Sequence, residues 1–345
     1  MRVVIADPPA FTPWYDHELA SALGRAGAEV ELATSSFRFA ELPPAIAYER
    51  AERYYRLSSR LFKRSRARLP LKAVEHLAVA RSLGRIKADV LHVQWLAVPK
   101  HDVRIRFRSP TVFTAHDLLP RRTAGKIELW RRLLAKFDRV IVHTESGRQT
   151  LLELGVDARV LPHPVYPSQA VRADDGHTLL SLGVIRRYKG LPDAIEVTRR
   201  IPGSRLLVAG DPAIPLTGLE TAPRVDWRLG YLDQEQLDRA LSEATLALFP
   251  YLPELDQSGA LLQALGAGVP AVVYDVGGLG DPIRQFGAGA VVPAGDVDAM
   301  TAATEELLGN PETLAAARAG AERARTTLTW DAFAAAHLAL YRELA

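Results

Sequence analysis

Short apolar runs alternate with helix-like patterns along the whole chain, and this alternation constrains the fold more than any other feature. Strand-like runs occur at residues 3–6, 30–33, 90–93, 112–115, 140–142 and 160–161, and again at 179–182, 206–209, 246–249, 271–274 and 291–292. Between the first two runs, residues 16–26 carry Leu19, Ala22 and Leu23 at helical spacing. Because strands separated by helices pair in parallel through βαβ units, the sequence predicts an α/β fold.

A chain of 345 residues is too long for one ordinary core and long enough for two domains. Pro162, Pro164 and Pro167 interrupt the alternation, and a polar stretch follows them. The sequence therefore predicts four segments, which are an N-terminal domain at 1–165, a linker at 166–176, a second domain at 177–328 and a terminal helix at 329–345.

The chain contains no cysteine, which excludes disulfides, thiolate metal sites and a cysteine nucleophile. Only four apolar residues stand in a row before Asp7, far fewer than the apolar core of a secretory signal peptide. Nor does any segment have the roughly 18 uninterrupted apolar residues that a membrane-spanning helix needs. We therefore expect a cytoplasmic protein.

The net charge of +3 hides an asymmetry between the two halves of the chain. Residues 1–165 carry 28 Lys and Arg against 17 Asp and Glu, whereas residues 166–345 carry 15 against 23. Residues 51–150 alone hold 23 basic and 8 acidic side chains. Because such a field acts over roughly 8–10 Å, the first half is suited to an anionic partner.

Two strand-to-helix loops of the second half carry residue types that are suited to binding a diphosphate. The first loop has Arg186, Arg187 and Lys189 just before a helix that opens near Pro192. Arginine can take two phosphate oxygens, lysine adds a compact charge, and a helix N-terminus offers free N–H groups. A solvated basic turn is the alternative explanation of this loop taken alone.

The second loop leads from the run at 246–249 to another helix and contains Ser258 and Gly259. Glycine lets a ligand approach the backbone closely, and the helix again presents its N-terminus. A helix that only caps and packs is the alternative. Together the two loops supply three cations, a hydroxyl and free backbone N–H groups.

In order and spacing, residues 183–190 and 258–270 resemble the donor half of the GT-B glycosyltransferases, in particular glycosyltransferase family four. The resemblance extends from Arg2 to the last residues. It implies an α/β GT-B fold of two Rossmann-like doubly wound domains facing a cleft, with the C-terminal helix crossing back to the N-terminal domain. It also implies a nucleotide diphosphate sugar as donor, with its base recognised around Gly230 and Tyr231.

The second loop departs from the family pattern, which usually has two glutamates eight residues apart. In the family the first glutamate contacts the sugar hydroxyls and the second contacts the ribose, whereas here Leu255 and Gln263 stand at those places. The amide of Gln263 can still bond a ribose hydroxyl. Glu254 or Asp256 can reach the sugar after a small change in the path of the loop.

The resemblance also assigns candidate residues to the first domain. It places His116 at the donor sugar near the reacting carbon, and Asp117 as the group that orients a hydroxyl or the imidazole. A purely structural His–Asp pair is the alternative. Tyr15, Asp16 and His17 occupy the acceptor-facing loop, where the family commonly has glycines, and Asp16 as a helix N-cap is the alternative.

Breaking the sugar–phosphate bond builds negative charge on the departing diphosphate. Fixed cations stabilise that charge, and each well-placed group contributes roughly 3–4 kcal/mol. We therefore expect Arg186 and Lys189 to act in catalysis with His116 and Asp117, and we expect no metal and no other cofactor. The resemblance implies retention of anomeric configuration, with the departing phosphate accepting the acceptor's proton.

Residues 53–72 mix basic with aromatic and apolar side chains. This composition favours peripheral contact with an anionic membrane, at its inner face, where a lipid-linked acceptor is presented. A solvated helix face is the alternative. The aromatic residues fit no RNA-binding motif, so we expect no nucleic-acid partner.

The sequence thus indicates a glycosyltransferase that moves a hexose from a nucleotide diphosphate sugar to a carbohydrate or lipid-linked acceptor. A catalytically silent GT-B protein that binds nucleotide or assists a partner enzyme is the alternative, motivated by Leu255 and Gln263. A nucleotide-sugar epimerase is disfavoured because the sequence shows no convincing pair of carboxylates for proton abstraction and elimination. The donor sugar and base, the acceptor and the linkage stay open.

Overall fold

The computed structural model describes residues 1–37, 40–61, 68–118, 125–252 and 257–344. The chain divides into two compact units, the first formed by Met1–Pro162 with Trp330–Ala345 and the second by His163–Thr329. Both units are α/β, which confirms the fold class that the alternating runs predict.

Within its described residues, the first unit has seven parallel strands, which are β1 (Arg2–Asp7), β2 (Glu29–Thr34), β3 (Glu49–Glu52), β4 (Val90–Val93), β5 (Thr111–Thr114), β6 (Arg139–Val142) and β7 (Ala158–Val160). Their order in the sheet is β3-β2-β1-β4-β5-β6-β7. The helices that connect them are α1 (Pro13–Arg25), α2 (Arg56–Leu61), α3 (Arg68–Leu83), α4 (Pro99–Asp102), α5 (Ile127–Leu134) and α6 (Glu145–Glu153).

The second unit repeats this plan with six parallel strands among its described residues: β8 (Thr178–Leu182), β9 (Arg205–Gly210), β10 (Val225–Leu229), β11 (Leu246–Phe249), β12 (Ala271–Tyr274) and β13 (Gly289–Val292). Their order is β10-β9-β8-β11-β12-β13. The helices are α7 (Leu191–Arg200), α8 (Gln234–Glu243), α9 (Gly259–Gly266), α10 (Gly280–Phe286), α11 (Val297–Gly309) and α12 (Pro311–Thr327).

The last helix, α13 (Trp330–Arg342), belongs to the first unit and packs on α1. Arg25 near the end of α1 lies 2.6 Å from the Asp331 carboxylate. The ring of Trp330 meets that of Tyr15 edge to face at a centroid separation of 5.2 Å. Residues more than 300 positions apart therefore share one core.

Both sheets are doubly wound, because the chain runs outward in one direction from the central strand and then returns to fill the other side. The reversal falls between β1 and β4 in the first sheet and between β8 and β11 in the second. Ligands of such sheets bind beyond the carboxyl ends of the strands at this reversal. Among the described residues, no helix combines the length and the hydropathy needed to cross a bilayer.

Candidate active site

The loop after β8 forms a short basic turn that leads directly into α7. Arg187–Lys189 make one 3-10 turn, and Gly190 follows in the left-handed conformation at a φ of 64°. A Cβ on Gly190 would lie 1.9 Å from the carbonyl oxygen of Pro250, so only glycine allows this close approach. The turn is thereby held against the loop that follows β11.

Lys189 is the most constrained cation of this turn. Its Nζ donates a hydrogen bond of 2.9 Å to the Leu182 carbonyl oxygen and lies 5.3 Å from the centroid of the Tyr251 ring. The pKa of Lys189 is lowered to about 8, mainly by burial, with Tyr188 opposing the shift and the charge of Arg186 adding to it. A bound anion would restore the charged form of the ammonium.

Arg186 and Arg187 extend from the same turn and are exposed. Neither forms an ion pair with a carboxylate in the described part of the chain, whereas all three arginines on α7 and α8 do. Three cations therefore stand within four residues at the carboxyl end of β8.

The loop after β11 meets this turn through direct contacts. The backbone N–H of Leu252 donates to the carbonyl oxygen of Tyr188 at 2.7 Å, and the rings of Tyr188 and Tyr251 pack edge to face at 5.7 Å. The Tyr251 hydroxyl lies 3.2 Å from the Ser258 Oγ. The structure thus brings the two predicted donor loops together at the reversal point of the second sheet.

Ser258 caps α9, since its Oγ accepts from the backbone N–H of Leu261 at 3.3 Å. Gly259 opens the helix and is exposed, and Gln263 lies one turn further along, half-buried. The cap formed by Ser258 therefore fixes the N-terminus of α9, and Gln263 follows one turn beyond it. Leu255, Glu254 and Asp256, which the sequence links to the sugar, lie outside the described residues.

Gly230 and Tyr231 follow β10, two strands from β8 on the same edge of the sheet. The backbone N–H of Gly230 donates to the Gly210 carbonyl oxygen at 3.1 Å, and Tyr231 is 40% exposed. The region expected to recognise the base therefore lies at the carboxyl edge that also carries Lys189.

In the first unit, His116 lies just beyond the carboxyl end of β5. Its Nε2 lies 2.8 Å from the Gln94 Oε1, and its ring stacks on Trp95 at a centroid separation of 5.4 Å. The ring of Tyr15 supports it edge to face at 4.6 Å. The adjacent Asp117 is exposed.

The three residues predicted for the acceptor loop lie inside the unit, because α1 begins earlier than the sequence suggests. The helix starts at Pro13 and its N-cap is Thr12, so the alternative that Asp16 caps the helix is wrong. Tyr15, Asp16 and His17 are all buried. Of these, the structure brings only Tyr15 into contact with His116.

Asp16 and His17 have separate surroundings. Asp16 lies near Asp7 at the end of β1, and burial raises the pKa of both carboxyls, with the negative charge of Asp7 adding to the shift at Asp16. The Nδ1 of His17 lies 2.8 Å from the Tyr48 hydroxyl. Burial, followed by the charges of Arg50 and Arg25, lowers the pKa of His17 to about 4.

Sequence reasoning missed Gln94 and Trp95, which surround His116. They directly follow the apolar strand β4, and the indole Nε1 of Trp95 donates to the Thr12 Oγ1 at 2.9 Å. A polar residue immediately after a buried parallel strand was the signal that could have found Gln94, because such positions lie at the ligand-binding edge.

Two doubly wound α/β units, one with a basic turn and a capped helix at its carboxyl edge, define the chain as a GT-B protein. The profile of Glycosyltransferase Family 4 matches residues 15–169, and that of Glycosyl transferases group 1 matches residues 176–310. The chain belongs to the GT-B glycosyltransferases of the family 4, group 1 type.

Curated relatives include a D-inositol 3-phosphate glycosyltransferase of Mycolicibacterium paratuberculosis, 27% identical over 72% of this chain and 64% of that protein. A glycogen synthase of Mycobacterium tuberculosis is 30% identical over 71% of this chain and 65% of its own length. The chain therefore matches somewhat less than two-thirds of the length of these relatives.

Solved structures resemble the whole chain. Sucrose-phosphate synthase from Thermosynechococcus elongatus superposes with a TM-score of 0.74 at 21% identity, covering 99% of this chain and 98% of that one. WaaG, a glycosyltransferase involved in lipopolysaccharide biosynthesis, gives a TM-score of 0.65 at 15% identity, covering 99% of both chains. At these identities the similarity shows the fold alone.

Proposed function

We propose that this protein transfers a hexose from a nucleotide diphosphate sugar to a carbohydrate or lipid-linked acceptor. The observation that carries the proposal is the position of Lys189, a half-buried cation at the carboxyl edge of the second sheet, with Arg186 and Arg187 beside it and the N-termini of α7 and α9 nearby. The group matches the charge and the hydrogen-bonding needs of a diphosphate.

The same cations support a reaction without a metal ion. As the sugar–phosphate bond breaks, negative charge develops on the diphosphate, and preorganised cations stabilise it. We propose that Arg186 and Lys189 serve this role, and that the departing phosphate accepts the acceptor's proton with retention at the anomeric carbon. In this proposal His116 and Asp117 contact the sugar and orient it. Donor binding would further use Arg187, Ser258, Gly259 and Gln263.

A transfer assay with Lys189→Ala tests the proposal. The purified protein would be offered UDP-, GDP- and ADP-sugars with mono- and disaccharide and polyprenyl phosphate acceptors. We expect the variant to lose at least about 100-fold in kcat, the usual effect of removing one such charge-stabilising group. Arg239→Ala is the matched control, because Arg239 is an exposed cation of the same unit that pairs with Glu235 on the surface. Full turnover by Lys189→Ala would refute the proposal.

Gln263 favours one second candidate, a nucleotide-binding protein without transferase activity. An amide stands where relatives of this type usually have a carboxylate, so the hydrogen bond to a ribose would lack charge assistance. Such a protein would bind nucleotide and release no sugar from any donor. Donor hydrolysis or transfer by the purified protein would exclude it.

We further propose that α2 and α3 contact an anionic membrane that presents the acceptor. Leu57, Val74 and Leu77 are large apolar side chains, 55%, 67% and 44% exposed, on these two contacting helices. The exposed cations Arg56 and Arg81 flank them. Apolar insertion combined with basic charge is the recognition mode of anionic bilayers. Residues 62–67 of the predicted segment lie outside the described residues.

Liposome flotation tests the membrane contact. Vesicles containing phosphatidylserine should carry the protein upward, and vesicles of phosphatidylcholine alone should not. Val74→Asp should abolish flotation, whereas Leu152→Asp, at a leucine 44% exposed on α6, should leave it unchanged. Equal recovery with both kinds of vesicle would contradict the proposed contact with an anionic membrane.

A further inference from the structure

Four polar side chains form a continuous hydrogen-bonded chain through the core of the first unit. It starts at Tyr341 on α13, whose hydroxyl lies 2.6 Å from the Nδ1 of His92 on β4. The Nε2 of His92 lies 3.3 Å from the Gln94 Nε2, and the Gln94 Oε1 lies 2.8 Å from the His116 Nε2. The chain therefore connects the C-terminal helix to the candidate catalytic histidine.

All the internal members of this chain are uncharged. Tyr341, His92 and Gln94 are each 0% exposed. Burial lowers the pKa of His92 well below its usual value, with His337 and His143 adding to the effect, and burial raises the pKa of Tyr341. In a neutral imidazole one nitrogen donates and the other accepts, so each hydrogen bond has a definite direction.

The orientation of the Gln94 amide sets those directions. With its Oε1 toward His116, the His116 Nε2 would carry the proton and donate. Its Nε2 donates toward His92, so the His92 Nε2 accepts, and it also accepts from the Thr114 hydroxyl at 2.7 Å. With the amide in this orientation, the proton of His92 would be on Nδ1 and would be donated to the Tyr341 oxygen. The two histidines would then carry opposite tautomers.

We propose that Tyr341 is a positioning residue, whose hydroxyl accepts from His92 and so maintains, through His92 and Gln94, the tautomer of His116. With the proton held on Nε2, the lone pair of His116 lies on Nδ1. The significance of that lone pair for transfer rests on the proposed function. The hydrogen-bond relay itself does not.

Removing the hydroxyl of Tyr341 should reverse every direction in the relay. In Tyr341→Phe the Nδ1–H of His92 would be a buried donor without an acceptor, which is unfavourable. Moving the proton to Nε2 relieves this, because Thr114 and the amide oxygen of Gln94 can then accept it. The amide must turn, present its Nε2 to His116 and shift the His116 proton to Nδ1.

Long-range proton–nitrogen spectra of protein labelled with 15N-histidine test the relay at pH 8, with His92 and His116 assigned by substitution. The wild type should show His116 protonated at Nε2 and His92 at Nδ1, and Tyr341→Phe should exchange both assignments. A wild-type His116 protonated at Nδ1, or a His116 tautomer unchanged in Tyr341→Phe, would overturn the proposal.

Two variants separate the relay from general packing. His337→Phe changes a buried α13 ring that stacks on His92 at 5.4 Å, and it should leave both tautomers unchanged. Gln94→Met breaks the relay at the amide, so adding Tyr341→Phe to it should move the His92 proton and leave His116 unaffected. If Tyr341→Phe alone does not fold, the wild type decides, and a His92 protonated at Nε2 in the wild type would refute the relay.

Steady-state kinetics of Tyr341→Phe then test whether the relay affects sugar transfer. Tyr341→Phe should lower kcat about 10-fold, within the usual range for a partner that orients an active group, with KM changed less than about twofold. The spectra need no substrate, so their outcome stands even if the protein transfers no sugar. A reversed tautomer with unchanged kcat would establish the relay and refute its role in the reaction.

Discussion

Lys189 Nζ donates a hydrogen bond of 2.9 Å to the carbonyl oxygen of Leu182, the last residue of β8. The bond turns the ammonium back toward the end of the strand, under the turn that carries Arg186 and Arg187. Burial lowers the pKa of this lysine, so the protein holds a cation whose charge depends on what binds beside it.

Nucleotide binding should therefore weaken as the pH rises through about 8, the pKa of Lys189 in the free protein. Below that pH the ammonium is charged and attracts a diphosphate, whereas above it the neutral amine does not. Phosphate groups lose their second proton near pH 6, so the charge of the ligand hardly changes in this range. Calorimetric titration of the best-binding nucleoside diphosphate between pH 7 and 9.5 would measure the effect.

Lys189→Arg is the control for this pH dependence, because a guanidinium stays charged throughout the range. Its Kd should be nearly constant from pH 7 to 9.5, even if the affinity is lower. A wild-type Kd that does not change across pH 8 would show that Lys189 does not contribute its charge to nucleotide binding.

Gly183→Ala should displace the ammonium of Lys189. A Cβ at this position would lie 2.8 Å from Nζ, too close for contact, and Gly183 has a φ of 90°. We expect nucleotide affinity to fall about 10-fold, one decade for about 1.4 kcal/mol of lost interaction. The strained backbone should also lower the free energy of unfolding by about 1–3 kcal/mol.

Gly203→Ala separates those two effects. Gly203 also has a positive φ, of 78°, but no atom lies within 4 Å of its potential Cβ. This variant should lose similar stability in thermal or urea unfolding and keep wild-type affinity. If both alanine variants bound nucleotide equally well, contact with Lys189 would not be the reason for a glycine at 183.

The interior strands of both sheets could be predicted because they are apolar runs buried on both faces, as at Leu246–Phe249. The strands β3 and β10 could not be predicted from the sequence. They lie at the sheet edges, pair on one side only and carry charged side chains such as Arg50 and Asp226. Their sequences contain no apolar run, and only the neighbouring strand makes them extended.

The donor loops were predictable because charge, glycine and helix starts are local features of the sequence. The surroundings of His116 were not predictable from the sequence. Tyr15 is buried largely through α13, whose Trp330 and Phe333 come from the opposite end of the chain. Gln94 belongs to no motif, and its role follows from the tertiary contact with His116.

Asp16→Asn should stabilise the protein at neutral pH. Asp7 and Asp16 are buried together and both have raised pKa values, so each resists ionisation. A group of this kind favours folding below its unfolded pKa of about 3.9, and that contribution is lost as the pH rises through its folded pKa. Removing one of the two buried charges should therefore raise the free energy of unfolding at pH 7.

Urea unfolding at several pH values would measure this change, and the gain should shrink toward pH 4. Asp298→Asn provides the control, since the Asp298 side chain is 87% exposed in a surface pair with Arg200 and its removal should change stability by less than about 0.5 kcal/mol. Marked destabilisation by Asp16→Asn would mean that an ionised Asp16 is stabilised by a group bound in solution.

Gln263→Glu should tighten nucleotide binding if this side chain contacts the ribose. Gln263 is half-buried on the first turns of α9, behind the cap formed by Ser258. A carboxylate accepts a stronger hydrogen bond from a hydroxyl than an amide does, by roughly a factor of two in energy. We expect Kd to fall about threefold in Gln263→Glu and to rise about 10-fold in Gln263→Leu, measured by calorimetry at pH 7.

Gln234→Leu, on the exposed start of α8, should leave Kd unchanged. If Gln263→Leu bound nucleotide as tightly as the wild type, position 263 would not contact the ribose, and the departure from the usual glutamate would have no bearing on whether the protein is active.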